Sequence, residues 1–361
     1  MTTRVLIISG ITESAPYKPD IELVKGLHNS GVRVDVMIPS ASPYVKIFAE
    51  LGIRVIPAHP VRKFSPESVR LIRNEITKQH YDIIHLFNTK AIVNGSLAAI
   101  GKPVKVIAYR GAAGLYWYDP TAWLSHLNPR IDYLVCNSNY VLQHVQKQLL
   151  PGSTKAVMIH KGMDPEWFAN THPVSRESLG IPDNAIIIGC AANVRKVKGV
   201  PYLLKATYLM DPKLPLHIVL IGQGMESAGI RRLIDASPFR DRIHMLGYRK
   251  DVYEVIAACD LYVQPSLSES LSRSVMEAMC LKVPCVVSNV GGLAELVAHE
   301  KSGLTVKKAN PAVLADAITR LAENRQLRQT YAEEGFSRMQ HIFSVENMIA
   351  NTKKLYADMI S

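Results

Sequence analysis

Two carboxylates eight residues apart, Glu269 and Glu277, stand within the serine-rich run Pro265-Ser-Leu-Ser-Glu269-Ser-Leu-Ser-Arg-Ser-Val-Met-Glu277. The run Asp260-Leu-Tyr-Val-Gln264 ahead of it reads as an apolar strand. Glu269 then falls in the loop at the strand's end, and a helix is predicted to begin near Leu271. On that helix Ser270, Arg273, Ser274 and Glu277 recur at i, i+3, i+4 and i+7 and share one face. Free amides and the positive dipole end at a helix start can seat a diphosphate. Carboxylates on either side can accept hydrogen bonds from sugar or ribose hydroxyls. Taken alone, two glutamates about a helix start also suit capping and solubility.

A second group is cationic: Ala191-Ala-Asn193-Val-Arg195-Lys196-Val-Lys198-Gly199 follows an apolar strand over 185–190. Fixed cations there would lower the barrier to breaking a bond to phosphate, because negative charge grows on the departing group. By itself the run also reads as a solvated basic turn. Glycine turns follow later strands, in Ile221-Gly222-Gln-Gly224 and in Leu246-Gly247-Tyr248-Arg249. In the first half, Gly10 ends the first strand in a tight turn, and Arg110-Gly111 follows the strand over 104–108. An arginine at a strand end could bind an acidic acceptor or a donor phosphate, or pair with a carboxylate. His85, at the end of another strand, reads as structural. Leu115-Tyr116-Trp117-Tyr118 with Trp123 suits sugar stacking, insertion at a membrane interface or core packing. A helix beginning at Ser65-Pro66 sets Val69, Ile72 and Ile76 among Arg62, Lys63, Arg70, Arg73 and Lys78. It reads as an interfacial helix for anionic lipid or as an ordinary amphipathic surface helix.

The elements that must position these groups alternate, apolar β-branched runs with helical patterns, which is the signature of parallel α/β units. Strands are predicted at 4–9, 33–37, 53–56, 82–86, 104–108, 132–136 and 155–159, forming one doubly wound domain. A segment of poor periodicity, His160 to about Asp183 with Pro165, Pro173 and Pro182, reads as a linker. A second series follows at 185–190, 216–221, 242–246, 260–264, 283–287 and 303–306. The division is therefore 1–165 and 166–343. A C-terminal helix of about 344–361 packs on the second domain or back onto the first. Two such domains facing each other enclose a cleft that suits two substrates.

Composition narrows the class. The 361 residues are 48% hydrophobic and 20% charged, as a folded chain requires. Cys136, Cys190, Cys259, Cys280 and Cys285 lie mostly in apolar runs and complete no metal motif, so they read as buried thiols of a reducing cytoplasm. The N-terminal apolar run is too short for a signal peptide, and no apolar stretch is long enough to span a bilayer. The net charge is +11, and residues 1–160 hold 18 Lys and Arg against 10 Asp and Glu. Such a half suits an anionic partner: acidic lipid, phosphorylated glycan or nucleic acid.

The Glu269 to Glu277 segment resembles the E-x7-E signature of retaining GT-B glycosyltransferases, the large family 4. Its surroundings fit as well: Pro265-Ser266, Glu277-Ala-Met, Val283-Pro284, and Gly291-Gly292 with Glu295. The resemblance extends over nearly the whole chain and is stronger in the second half. It implies an α/β fold of two facing Rossmann-like domains with parallel sheets and an interdomain cleft. It also implies that Glu269 contacts the donor sugar and Glu277 the ribose, with Arg195 and Lys198 on the pyrophosphate. Gly222, Tyr248, Arg249, Ser270, Leu271, Ser272 and Arg273 fall to the donor side, and Gly10, Arg110 and Gly111 to the acceptor side. The chain departs from the pattern in several places. Ser270 stands where glycine is usual, Ala192-Asn193 replaces Gly-Arg, Lys161 replaces the Asn of N-G-V-D, and Arg110 takes a histidine's place.

The expectation is a retaining, hexosyltransferase-like enzyme with no cofactor. No Asp-x-Asp motif sits where a donor phosphate would be, so side-chain cations rather than a metal neutralise the leaving group. Its partners would be a UDP- or GDP-linked sugar, a glycan or lipid-linked acceptor of the cell envelope, and an anionic inner-membrane surface, with no nucleic acid. The location implied is cytoplasmic, peripheral on that surface. A nucleotide-sugar 2-epimerase of the same fold would need acid-base carboxylates and histidines in the first domain, and Arg110-Gly111 supplies no such set. A nucleic-acid-binding protein would share the charge, but no binding module is recognised.

Overall fold

The computed structural model describes residues 3–13, 15–150, 152 and 154–360. It divides into two compact units, Met1–Met163 with Phe343–Ser361, and Asp164–Ile342. Ser361, the last residue of the expected C-terminal helix, lies outside the described residues.

The first unit is built on a parallel sheet of β1 (Arg4–Ile8), β2 (Arg33–Met37), β3 (Arg54–Ile56), β4 (Ile83–Leu86), β5 (Lys105–Arg110), β6 (Tyr133–Cys136) and β7 (Lys155–Met158). Their order is β3-β2-β1-β4-β5-β6-β7. Strands covered on both faces read as nearly continuous apolar runs, and Val5 to Ile8 are fully buried for that reason. Strand order reverses between β1 and β4, and beyond the carboxyl ends of such a pair an α/β sheet leaves a crevice. The helices beside it start on side-chain caps: Ser65 accepts from the Ser68 amide and Asn88 from the Ala91 amide. The C-terminal helix Val345–Ile360 lies against the helix Lys18–Asn29 of this unit. The two helices approach closely at Gly26, where a Cβ would sit 2.1 Å from Ile349 Cδ1 and force that side chain to shift. The Tyr356 hydroxyl reaches His85 Nδ1 at 2.8 Å.

The second unit repeats the plan with β8 (Ile186–Ala191), β9 (Leu216–Ile221), β10 (Ile243–Gly247), β11 (Leu261–Gln264), β12 (Cys285–Ser288) and β13 (Gly303–Val306). All are parallel, in the order β10-β9-β8-β11-β12-β13, with the reversal between β8 and β11. β12 starts two residues later than the sequence pattern predicts, because Pro284 has no amide to give the ladder; its carbonyl still accepts from Tyr262.

The segment read as a linker is a correction. From Asp164 onward it is packed onto the second unit. Phe168 meets Tyr253 edge-on at 5.1 Å, Val174 donates its amide to the Glu254 carbonyl, and Arg176 pairs with Asp260 at 3.0 Å. Its prolines prevent long elements, but Phe168, Leu179 and Ile181 are buried all the same. The five cysteines are buried and free. Burial pushes the Cys136 and Cys190 thiols up to about 12, so neither is a nucleophile near neutral pH.

Candidate functional site

In the second unit the β8–β11 reversal brings two loops into backbone contact. The loop after β8 closes in the turn Lys196–Lys198 and at Gly199, whose φ of +69° suits glycine. A Cβ at Gly199 would lie 1.9 Å from the Pro265 carbonyl oxygen, and Leu267 donates its amide to the Val197 carbonyl at 2.7 Å. This approach sets Lys198 Nζ 2.5 Å from Glu269 Oε2, with only 17% and 15% of the two side chains exposed. The other flank of the Glu269 loop is clamped too. Gly292 donates its amide to the Glu269 carbonyl, and a Cβ there would lie 1.8 Å from the Ser270 carbonyl oxygen. A cation and a carboxylate assigned by sequence to different parts of a ligand thus neutralise each other.

The helix after this loop spans Arg273–Cys280, so its predicted start near Leu271 is corrected. Ser270, Leu271 and Ser272 belong to the loop, and Ser270 does not share the helix face. Ser272 takes an extended backbone (φ −80°, ψ 114°) and its hydroxyl turns to Ser274 instead of capping the helix amides. On the helix, Arg273 and Glu277 pair one turn apart at 2.9 Å. Glu277 is 4% exposed, and Tyr253 is its second hydrogen-bond partner. Burial pushes its pKa up, opposed by Arg273 and by the tyrosine. Such a carboxylate is held in one orientation.

The neighbouring loops interlock through Gly222, whose φ is +130° and whose Cβ would lie 2.3 Å from the Ala192 carbonyl oxygen. Its amide donates to the Gly247 carbonyl at 2.7 Å, and Asn193 Oδ1 accepts from the Gln223 amide. Arg195 is exposed and forms no ion pair among the described residues, and Tyr248 is 71% exposed. Arg249, assigned by sequence to a donor, donates to both carboxylate oxygens of Asp251, at 2.8 and 2.5 Å.

In the first unit Gly10 is buried behind β1, and its missing Cβ leaves room for the Tyr17 hydroxyl, 2.9 Å from where that carbon would be. Arg110, the last residue of β5, forms no ion pair among the described residues, which corrects the reading that pairs it with a carboxylate. Its guanidinium folds back to donate to the carbonyls of Ala112 and Ala113, at 2.6 and 3.0 Å, so it braces its own loop. Gly111 lies in the same loop and accepts from Asn137 Nδ2 at 3.2 Å. His85 is buried with its pKa down to about 3, so it stays neutral within the core.

The aromatic cluster divides: Leu115 is in the core and Trp123 packs against it, as the core-packing reading has it, whereas Trp117 is 61% and Tyr118 65% accessible. The interfacial reading of the helix Pro66–Gln79 is also corrected. Its Ile72 and Ile76 are in the core, Val69 packs against it, and Arg73 donates to the Ala98 and Ile100 carbonyls. Among the described residues no group of three or more His, Cys, Asp or Glu could hold a metal, and no helix is long and apolar enough to cross a membrane. Sequence reasoning missed Tyr253 and the buried Tyr262, Gln264 and Ser266 beneath the site. The one signal for the last three was polar side chains inside and just after an otherwise apolar strand; Tyr253, in the helix Val252–Ala257, had none.

Comparison with known proteins adds the following. The family model described as "Glycosyl transferases group 1" matches residues 172–338, and "Glycosyltransferase Family 4" matches 21–167. The chain is 25% identical over 305 residues to the UDP-Gal:alpha-D-GlcNAc-diphosphoundecaprenol alpha-1,3-galactosyltransferase of Escherichia coli, covering 79% of this chain and 77% of that one. It is 26% identical over 185 residues to the N-acetyl-alpha-D-glucosaminyl L-malate synthase of Bacillus anthracis. There the match covers 51% of this chain and spans about half the relative's length, 49%. Among solved structures, the Anabaena protein HepE in complex with UDP superposes with a TM-score of 0.76, at 20% identity, over 99% of this chain and all of that one. At that identity the likeness speaks for the fold alone.

Proposed function

The chain belongs to the glycosyltransferases of family 4, with the GT-B architecture of two parallel-sheet Rossmann-like domains, and we propose that it moves a sugar from a nucleoside diphosphate donor to a glycan or lipid-linked acceptor with retention at the anomeric carbon. The observation that carries this reading is the Lys198–Glu269 pair, held over the β8–β11 crevice by glycine-clamped loops. In an anion-binding crevice the donor diphosphate takes Lys198 as its counter-charge, and Glu269 turns to the hydroxyls of the sugar. Glu277, already fixed by Arg273 and Tyr253, accepts from the ribose hydroxyls. Exposed Arg195 is available to the same diphosphate. As the bond from the anomeric carbon to the phosphate oxygen breaks, the growing negative charge meets Lys198. The acceptor oxygen forms its bond from the same face, and its proton leaves with the departing phosphate.

UDP is the favoured nucleotide over GDP, supported by the printed donor of the Escherichia coli relative and the ligand of the Anabaena structure. The same relative's acceptor, a sugar on a diphosphate-linked polyprenol, supports a lipid-linked acceptor for cell-envelope glycan assembly. Side-chain cations leave no role for a metal. A panel of nucleotide sugars screened by thermal shift in excess chelator tests the reading, because a bound donor stabilises by mass action. A UDP- or GDP-sugar is expected to raise the melting temperature with chelator present. A shift that disappears with chelator would contradict the donor site as drawn.

The basic first half and the exposed Trp117 and Tyr118 support reversible docking on an anionic membrane surface. Sedimentation with anionic vesicles should be strong at low salt and fall as salt screens the charge. Equal binding to neutral and anionic vesicles would rule that out.

A further inference from the structure

Beneath the donor site lies a chain of buried polar side chains that the reaction as drawn does not use. Tyr262 and Gln264 sit two residues apart on β11 and so point to the same face, and neither is exposed at all. The Tyr262 oxygen accepts from the Ala191 amide at 3.1 Å, at the carboxyl end of β8. Its one proton serves both the Ala191 carbonyl, at 3.1 Å, and Gln264 Oε1, at 3.3 Å. Ser274, in the first turn of the helix Arg273–Cys280, donates to the same Oε1 at 3.2 Å. Since the Ser274 proton is committed there, Ser272 is the donor in the 3.2 Å contact between the two serines. From its other end Gln264 donates Nε2 to Ser266 Oγ at 2.9 Å. Ser266 is wholly buried and Ser272 nearly so.

We propose that Gln264 is a positioning residue for transfer, which through this relay fixes the Lys198 loop, the Glu269 loop and the start of the Arg273–Cys280 helix in one frame. The inference rests on the donor site proposed above. Three segments meet at one amide: β8's end, 71 residues away, through Tyr262, the loop before Glu269 through Ser266, and the helix start through Ser274 and Ser272. A glutamine suits the junction because its oxygen accepts twice while its nitrogen donates. Four buried polar side chains and the half-buried Ser274, in place of apolar ones, cost desolvation, and a satisfied network returns rigidity rather than core stability. The relay also draws the Ser272 hydroxyl away from the helix amides, so those amides stay open toward the diphosphate.

The test is steady-state kinetics of Gln264→Met, Tyr262→Phe and Ser274→Ala, with Lys198→Ala measured beside them. Loosening groups that act in the transition state should appear in kcat. Gln264→Met is expected to lower kcat about tenfold or more, with the donor KM moving by less than about threefold. Adding Ser274→Ala to Gln264→Met should lower kcat little further, because both changes break the same relay. Should Gln264→Met fail to fold, Tyr262→Phe and Ser274→Ala decide, each removing one hydroxyl and each expected to lower kcat severalfold at nearly constant KM. Near-normal kcat in the folded variants, losses confined to KM, or effects of the two changes that simply multiply would overturn the proposal. Near-normal kcat in a folded Lys198→Ala would instead overturn the role given to Lys198 in the donor site and leave Arg195 as its cation.

Discussion

Lys198→Ala is expected to lower turnover by about a hundredfold or more, the scale seen when one preorganised electrostatic donor is removed. The resting structure gives a reason for a large effect. Lys198 already sits against Glu269 with little of either side chain exposed, so its removal takes away the leaving group's counter-charge and leaves a half-buried carboxylate beside the incoming diphosphate. Glu277→Gln should behave differently. The carboxyl is buried with a raised pKa, so a neutral amide of the same shape relieves a burial cost and should leave the fold about as stable. What it weakens is a contact to ribose present in ground and transition states alike, so the loss should fall on the donor KM. Steady-state kinetics of both variants, with circular dichroism to establish folding, separates these outcomes. A folded Lys198→Ala with near-normal turnover would remove Lys198 from the chemistry and leave Arg195 as the remaining cation.

Gly292→Ala is expected to damage both stability and transfer. Its φ of −72° is open to any residue, so the objection to alanine is purely one of space. The new Cβ would lie 1.8 Å from the Ser270 carbonyl oxygen, and a backbone atom cannot swing aside as a flexible side chain can. The Glu269 loop must move, and displacements of about 1 Å at a reacting centre can cost on the order of a hundredfold in rate. Overpacking of this kind costs about 1–3 kcal/mol, or several degrees in melting temperature for a domain of this size. Gly229→Ala is the control. Nothing lies within 4 Å of its Cβ, and it sits in the helix Ala228–Asp235, where alanine is the better helix former. Gly292→Ala matching that control in melting temperature and rate would show that the loop is not clamped there.

The strands were legible because parallel sheets covered on both faces write themselves as apolar runs, such as Val5–Ile8 and Leu216–Ile221. The start of the helix after Glu269 was not legible. Its 3.6-residue pattern extends back through Ser270, but the Ser272 hydroxyl turns to Ser274 and the backbone there stays extended. Glu269 and Lys198 could each be singled out from their motifs, but their pairing could not, because they are 71 residues apart. They meet only because strand order reverses and sets β8 beside β11, past two intervening strands. The resting contacts of Arg110 were not legible either, for a local reason. Its partners are backbone carbonyls two and three residues on, and no side-chain type signals a carbonyl's direction.

The central claim is transfer from a nucleoside diphosphate sugar with the anomeric configuration kept. Proton NMR of the anomeric signals, recorded while the chain acts on the donor found by binding and on lipid-linked or glycan acceptors, tests it most directly. The account predicts release of the nucleoside diphosphate together with a new glycoside whose anomeric coupling matches that of the donor. A product of opposite configuration, or a donor epimerised with no glycoside formed, would contradict it.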